Sequence, residues 1–448
     1  MMPNGKTVET LQLGARRELF VDDWLIEEMN GVTLQIHHPV FREIALEFNR
    51  PWEGDISWAP VVMKVDDHYR LWYRASQEGR EAYTAYAESR DGINWERPAL
   101  GYFAFDGTTK DNNIVWRGPG GNMTPFLDLN PSTPDSERYK AIVRGGGVFA
   151  LVSPDGIGWK LIQDAPILTK GPFDSPNVAF WDAERGEYVA YIRGRAGGDS
   201  YQTGVRWIRR TTSKDFLHWT TLLPIDTGDA PKEHLYTNAC TPYFRAPHIY
   251  LMFPKRFVPD RKFHQNWQHA GLSEGVFMSS RDGLHWNRRF MEAFIRPGPD
   301  PDNWTERNLI TGVGIVPTGP AEISLYCVEH YRHPSVRLRR ATLRTDGFVS
   351  VNASYRGGEF VTKPFTFTGS ELAINYATSV AGDLCINILS PDGHQIDGYQ
   401  AHLYGDEIER VVTWQNGANL SALASQPIRL RFAMKDADLY AIKFGEIA

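Results

Sequence analysis

Ser89-Arg-Asp-Gly-Ile-Asn-Trp95 is a turn followed by a tryptophan, and versions of it return three more times. They are Ser153-Pro-Asp-Gly-Ile-Gly-Trp159, Ser213-Lys-Asp-Phe-Leu-His-Trp219 and Ser280-Arg-Asp-Gly-Leu-His-Trp286. The tryptophans stand 64, 60 and 67 residues apart, a period that suits one four-stranded sheet with its turns. In Ser-x-Asp-Gly the aspartate caps its own turn and the glycine accepts a positive φ. The tryptophan then opens the next strand and can wedge between neighbouring sheets. Hairpins repeated with one such turn and one tryptophan each read as the blades of a β-propeller.

Composition agrees with an all-β chain. The 448 residues suggest two domains. An aromatic content of 12%, with 14 Trp, 40 Gly and 28 Pro, belongs to many strands and many turns. A net charge of −6 without a basic run argues against a nucleic-acid partner. Cys240, Cys327 and Cys385 are too widely spaced for a zinc site or a disulfide framework and read as buried residues. The 13 histidines show no metal-ligand spacing, and no nucleophile elbow, phosphate loop or dinucleotide fingerprint occurs. No cofactor and no metal are therefore expected. Without an apolar leader or spanning stretch, the expectation is a cytoplasmic protein with no membrane partner.

In chain order, Glu18–Ile26 and Val32–His37 read as two strands around an Asn-Gly turn that complete the last blade and close the ring. Asp22 and Asp23, within the first of them, read as a strand-edge pair. Blade one opens at Asp55-Ile-Ser-Trp58, blade two near Met123, blade three at Phe173, blade four at Glu233 and a fifth unit near Asn308. The fifth lacks the tryptophan and carries Thr345-Asp-Gly-Phe348 in its place. Beyond Val351 the repeat ends, and short alternating strands separated by turns such as Pro391-Asp-Gly393 read as a β-sandwich. The expected organisation is a five-bladed β-propeller over 1–350, carrying the catalytic site, followed by a C-terminal β-sandwich over 351–448.

In a propeller, side chains at the starts of the innermost strands converge on one funnel. Those positions hold Asp55, Thr124 or Asp128, Asp174, Glu233, and Glu306 or Asn308. Carboxylates brought together raise at least one pKa, leaving a protonated acid beside an ionised partner. Cleavage of a glycosidic bond needs that pair, one carboxyl to protonate the leaving oxygen and one to attack carbon or activate water. The same groups could instead cap strand ends or bridge blades. A second series, Arg74, Arg144, Arg193 and Arg256, ends the second strand of blades one to four. It could hold those carboxylates ionised, grip an anionic substrate bidentately, or bridge blades. Trp58, Trp72 and Tyr236 suit stacking on a sugar face. His330, Tyr331 and Arg332 at the end of the fifth unit would complete a polar wall, and Asn177 is a further substrate-binding candidate.

The turns, the five units and the C-terminal sandwich resemble the five-bladed β-propeller glycoside hydrolases of families 32, 43 and 68. More narrowly, Leu19-Phe-Val-Asp-Asp23, Phe173-Asp-Ser-Pro-Asn177, Leu235-Tyr-Thr-Asn238 and Thr345-Asp-Gly-Phe-Val-Ser350 resemble an uncharacterised bacterial family-32-like group. The resemblance implies an aspartate on the first blade, a second aspartate further on and a glutamic acid. By order along the chain these are Asp55, Asp174 and Glu233. The expected activity is glycosidic-bond hydrolysis in a small oligosaccharide or glycoside, with Glu233 as acid, Asp55 as nucleophile or base, and Asp174 orienting substrate or tuning Glu233. Two other readings stay open: a sialidase-like or uronic-acid-directed hydrolase that uses the arginine series, and a carbohydrate-binding propeller without catalysis. In all three the partner is a carbohydrate.

Overall fold

The computed structural model describes residues 10–118, 120–196 and 203–447. Within them the chain forms strands, turns and three short 3-10 segments, and no helix is long and apolar enough to cross a membrane. The chain divides into two compact units, Pro39–Thr342 and the described parts of Met1–His38 with Leu343–Ala448.

Among the described residues the larger unit holds six antiparallel sheets, which take five places in chain order because two of them share the fourth. The first is Trp58–Val65, His68–Ala75, Tyr83–Ser89 and Ile114–Trp116, and the second Thr124–Leu127, Tyr139–Arg144, Val148–Ser153 and Lys160–Leu161. The third is Val178–Asp182, Glu187–Ala196, Val205–Ser213 and Leu223–Pro224. The fourth is broken into two ladders, His234–Leu235 with Lys255–Val258 and Leu272–Gly275, and Thr241–Tyr243 with Ala246–Met252 and Met278–Ser280. The fifth runs from Ile310–Thr311 and Val316–Gly319 through Glu322–Glu329 and Arg337–Arg344 to Val40–Glu47. Each sheet touches the next, and the fifth touches the first, where Val62 N–H donates to Val313 O at 2.8 Å and Val313 N–H to Pro60 O at 2.9 Å.

The repeated turn explains itself from its side chains. In the first, Asp91 Oδ1 accepts from the N–H groups of Ile93 at 2.7 Å and Asn94 at 2.8 Å, while Ser89 Oγ accepts from Gly92 N–H at 2.9 Å. The same bonds recur at Asp155, Asp215 and Asp282. Gly156 lies at φ 77°, and a Cβ there would stand 2.9 Å from Trp72. That close approach lets Trp72 Nε1 donate to Gly156 O at 2.7 Å, tying the first sheet to the second. Tyr191 reaches Gly283 O at 2.6 Å in the same way, and Tyr326 reaches Gly92 O, tying the fifth sheet to the first. The motif tryptophans do wedge: Trp286 meets Tyr191 edge-on, and Trp95 meets Tyr326.

The smaller unit overturns one expectation. Ile26–Asn30 pairs with Gly358–Thr362, and Val32–Ile36 pairs with Val349–Ala353, inside a nine-stranded sheet. Arg17–Leu19 pairs with Arg429–Gly445. These N-terminal strands therefore belong with the C-terminal residues; the strand that completes the fifth sheet is Val40–Glu47, paired with Arg337–Arg344. The division between units accordingly falls after residues 38 and 342 rather than at 350. Long strands Glu371–Leu389 and Arg429–Gly445 run side by side over a core that includes Phe20, Phe360, Ile374, Ile386 and Phe432.

Candidate active site

Four of the five sheets send side chains to one place. In the first, Ser57 Oγ accepts from Gly54 N–H and Ser76 N–H, each at 3.1 Å, and so holds the turn that carries Asp55 ahead of Trp58. In the third, Asn177 Oδ1 accepts from Arg193 N–H at 3.0 Å and fixes where Arg193 leaves its strand, beside Asp174. In the fourth, Tyr236 N–H donates to Lys255 O at 2.8 Å, setting the two residues side by side. In the fifth, Tyr331 N–H donates to Asn308 Oδ1 at 2.7 Å. Next to it, Arg332 N–H donates to Asp55 O at 2.7 Å, which brings the first and fifth sheets together.

The meeting point is the Tyr236 ring. From its centroid Lys255 Nζ lies 4.2 Å away, and the guanidinium carbons of Arg193, Arg206 and Arg307 lie at 4.8, 5.3 and 6.0 Å. Trp58 sits 6.0 Å from Lys255 Nζ and meets Tyr331 edge-on at 6.3 Å. Arg332 lies 5.7 Å from the Tyr331 ring. Two carboxylates enter: Asp174 is ion-paired with Arg193, and Glu306 Oε1 lies 2.9 Å from Arg332 Nε. Glu306 Oε2 accepts from Trp267 Nε1 at 2.6 Å, and Trp267 stacks on His333 at 4.6 Å. Asp174 and Arg206 are half-exposed while Tyr236, Lys255, Trp58 and Glu306 are buried, so the cluster has an open side.

Its electrostatics follow from crowding of like charge. Burial, then Arg307 and Arg206, hold the Lys255 amine well below the usual lysine range. Burial opposes ionisation of the Tyr236 phenol, but Arg307, Arg193 and Arg206 outweigh it and lower its pKa. Arg193 and Arg206 are each lowered, burial being the larger cause in both.

Of the expected site residues, Asp55, Trp58, Asp174, Arg193, Tyr236, Tyr331 and Arg332 are brought together here, with Asn177 as their brace. Arg74 belongs with them: burial lowers it, and the charges of Arg144 and Arg307 add to that. Glu233 has other company. Its carboxylate accepts from Arg256 Nη1 at 2.9 Å and Arg288 Nη2 at 3.1 Å, and Arg256 also engages Glu274. His330 is held by Asp300 and Ser335, both at 2.8 Å. Trp72 serves the turn of the second sheet. Thr124 binds Asn177 O, while Asp128 is a buried partner of Lys140, Thr133 and Tyr188. Asp300, Asp302 and His330 are grouped closely enough to share a cation, but Arg337 already lies 3.3 Å from Asp300.

Lys255, Arg206, Arg307 and Trp267 were not anticipated. Alternation along Ile249–Arg256 places Arg256 in the funnel series. The fourth sheet breaks at Phe253-Pro254, where proline offers no N–H to a ladder, and the strand that restarts at Lys255 sends Lys255 toward Tyr236 and Arg256 toward Glu233. The proline was the one signal available.

No family model matches the sequence, and no curated protein matches it. Among solved structures, a glycoside hydrolase is similar at 14% identity and TM-score 0.48, over 68% of this chain and 92% of its own. The catalytic domain of a Coprinopsis cinerea GH62 α-L-arabinofuranosidase is similar at 11% identity and TM-score 0.47, over 69% of this chain and 98% of its own. An exo-inulinase from Aspergillus awamori aligns over 90% of this chain and all of its own, at 12% identity and TM-score 0.39. Likeness of this degree carries neither fold nor activity across to this chain.

Proposed function

We propose that the chain is a glycoside hydrolase, a five-bladed β-propeller with an accompanying β-sandwich, whose substrate is a small oligosaccharide or glycoside bound at the Tyr236 ring. One observation carries this reading. Side chains from the first, third, fourth and fifth sheets meet at a single aromatic-walled point that also receives two carboxylates, Asp174 and Glu306. Trp58, Tyr236 and Tyr331 offer faces and edges for a sugar ring. Hydrolysis then needs one carboxyl to protonate the departing oxygen and the other to activate water or attack the sugar carbon.

Chain order favours Glu233 for the acid, whereas the geometry favours Glu306. Glu233 is clamped by two arginines that serve the fourth sheet. Glu306 lies among the groups that surround Tyr236, close enough for its charge to act on both Lys255 and Arg307. Asp55 meets Arg332 only through its backbone carbonyl, and its carboxylate, which accepts from Glu78 N–H at 3.3 Å, is left to orient substrate.

The test is a survey of aryl glycosides with the purified chain, followed by variants on whichever is cleaved. Glu306→Gln and Asp174→Asn should each lower kcat by about 10²–10⁴-fold. Glu233→Gln should lower Tm and leave kcat within about tenfold. Full kcat in Glu306→Gln would remove Glu306 from the mechanism. Binding of sugars with no cleavage anywhere in the survey would leave the non-catalytic reading standing.

A further inference from the structure

We infer that the substrate carries an oxyanion, a carboxylate or a sulfate ester on the sugar, and that Lys255, Arg206 and Arg307 seat it over the Tyr236 ring. The inference rests on this cluster being the place where a glycoside binds.

The first ground is an imbalance of donors. Among the described residues, buried side-chain atoms without a hydrogen-bond partner include Trp58 Nε1, Arg74 Nε, Asn122 Nδ2, Arg193 Nε, Arg206 Nε and Lys255 Nζ. All six are donors. Among the described residues of the cluster, the possible acceptors of this kind are Glu306 Oε1, which already faces Arg332 Nε, and the ring nitrogen His333 Nε2. A neutral sugar hydroxyl offers two lone pairs but brings an O–H of its own that needs an acceptor, so it matches such a wall less well. An oxyanion only accepts, and does match it.

The second ground is charge. Asp174 answers Arg193 and Glu306 answers Arg332. Among the described residues, the hydrogen-bond partners of Arg206 and Arg74 are uncharged side chains. Arg206 meets His234 Nδ1 at 3.3 Å, and burial together with Arg206 lowers the pKa of that histidine. Arg74 meets Asn122 at 3.5 Å and Ser76 at 3.4 Å. Lys255 is fully enclosed, and its Nζ has no partner among the described residues. A buried amine is ordinarily hydrogen-bonded or ion-paired, so a lysine with no hydrogen-bond partner among the described residues, beside three arginines, is a site that a bound anion completes. The third ground is strain. Arg307 sits at φ 63° and Leu309 at φ 54°, a backbone region that L residues avoid, and this turn is what delivers Arg307 to both Tyr236 and Tyr331.

Binding to the whole chain, measured by calorimetry at constant ionic strength, decides the matter. The probes are inorganic sulfate, D-glucuronate, D-galacturonate and D-glucose. At least one anion should bind tenfold or more tightly than glucose. Lys255→Met and Arg206→Gln should each weaken that anion by tenfold or more, and by at least tenfold more than they weaken glucose. Sulfate alone would point to a sulfate ester, and a uronate alone to a carboxylate. Anions no tighter than glucose, or anion affinity untouched in both variants, would overturn the inference even if neutral glycosides are cleaved. Anion binding without hydrolysis of any glycoside would leave the inference standing and remove the hydrolase reading.

Discussion

At the scale of the residue, Lys255 is an amine placed where water does not reach and three arginines already stand. Its pKa in the folded chain lies well below the ordinary 10.5. Between those two values the unfolded chain binds a proton that the folded chain does not, so stability rises with pH across that window. Replacing Lys255 by Met removes the penalty and keeps the volume. We expect Lys255→Met to raise stability at neutral pH by about 1–4 kcal/mol, with the gain shrinking as pH approaches the ordinary lysine value. Thermal unfolding of both proteins from pH 7 to pH 10 checks this; a lower Tm at neutral pH would show that the amine has a stabilising partner. The same substitution weakens anion binding under the inference above, so a site that gains stability as it loses affinity is the signature expected of a residue kept for function.

At the scale of the element, the four Ser-x-Asp turns do the same work with one exception. Burial raises the pKa of Asp91, Asp155, Asp215 and Asp282, but the N–H groups they accept from outweigh it, so all four lie below the usual aspartate value. Stability from these carboxylates is in full above the ordinary aspartate pKa and is lost as pH falls through the folded values, so the turns should open together in acid. The exception is Phe216, which holds φ 69° where the other turns place glycine. Its ring is fully enclosed and meets Phe126, Tyr188 and Trp219. Phe216→Gly would release about 1–2 kcal/mol of backbone strain and give up about 3–5 kcal/mol of packing. A net loss of roughly 2 kcal/mol is therefore expected in denaturant unfolding. A stabilised variant would mean that the backbone, not the ring, sets this turn.

At the scale of the whole molecule, the larger unit closes by contacts between its ends in sequence. Val40–Glu47 is the outer strand of the fifth sheet, Val61 bridges to Val313, and Tyr326 reaches the first turn at Gly92. Leu46 is buried opposite Leu338 on that outer strand. Leu46→Ala should cost about 2–5 kcal/mol. Because the fifth sheet carries Glu306, Arg307 and Tyr331, the same variant should lose sugar binding at the temperature where its sheets first part. Fluorescence-monitored unfolding with and without bound sugar measures both. Unchanged stability would mean that this strand only decorates an already closed unit.

The repeat and its turns could be read directly because their hydrogen bonds lie within a few residues, from Ser89 to Asn94 in the first case. The all-β class and the start of each inner strand followed from that local chemistry. Other features depend on what arrives from far along the chain. Ile26–Asn30 and Val32–Ile36 alternate as any strand does, and nothing local shows that their partners are Gly358–Thr362 and Val349–Ala353. Glu233 and Glu306 are both glutamates just ahead of an inner strand. Arg256 and Arg288 take the first, while Arg332 and Trp267 hold the second beside Tyr236. The sequence by itself determined where the turns and the inner strands fall, since period and turn chemistry act at short range. Only the tertiary structure decided which carboxylates, and which unpaired cations, meet beside Tyr236, because a side chain's charge is answered by its neighbours in space.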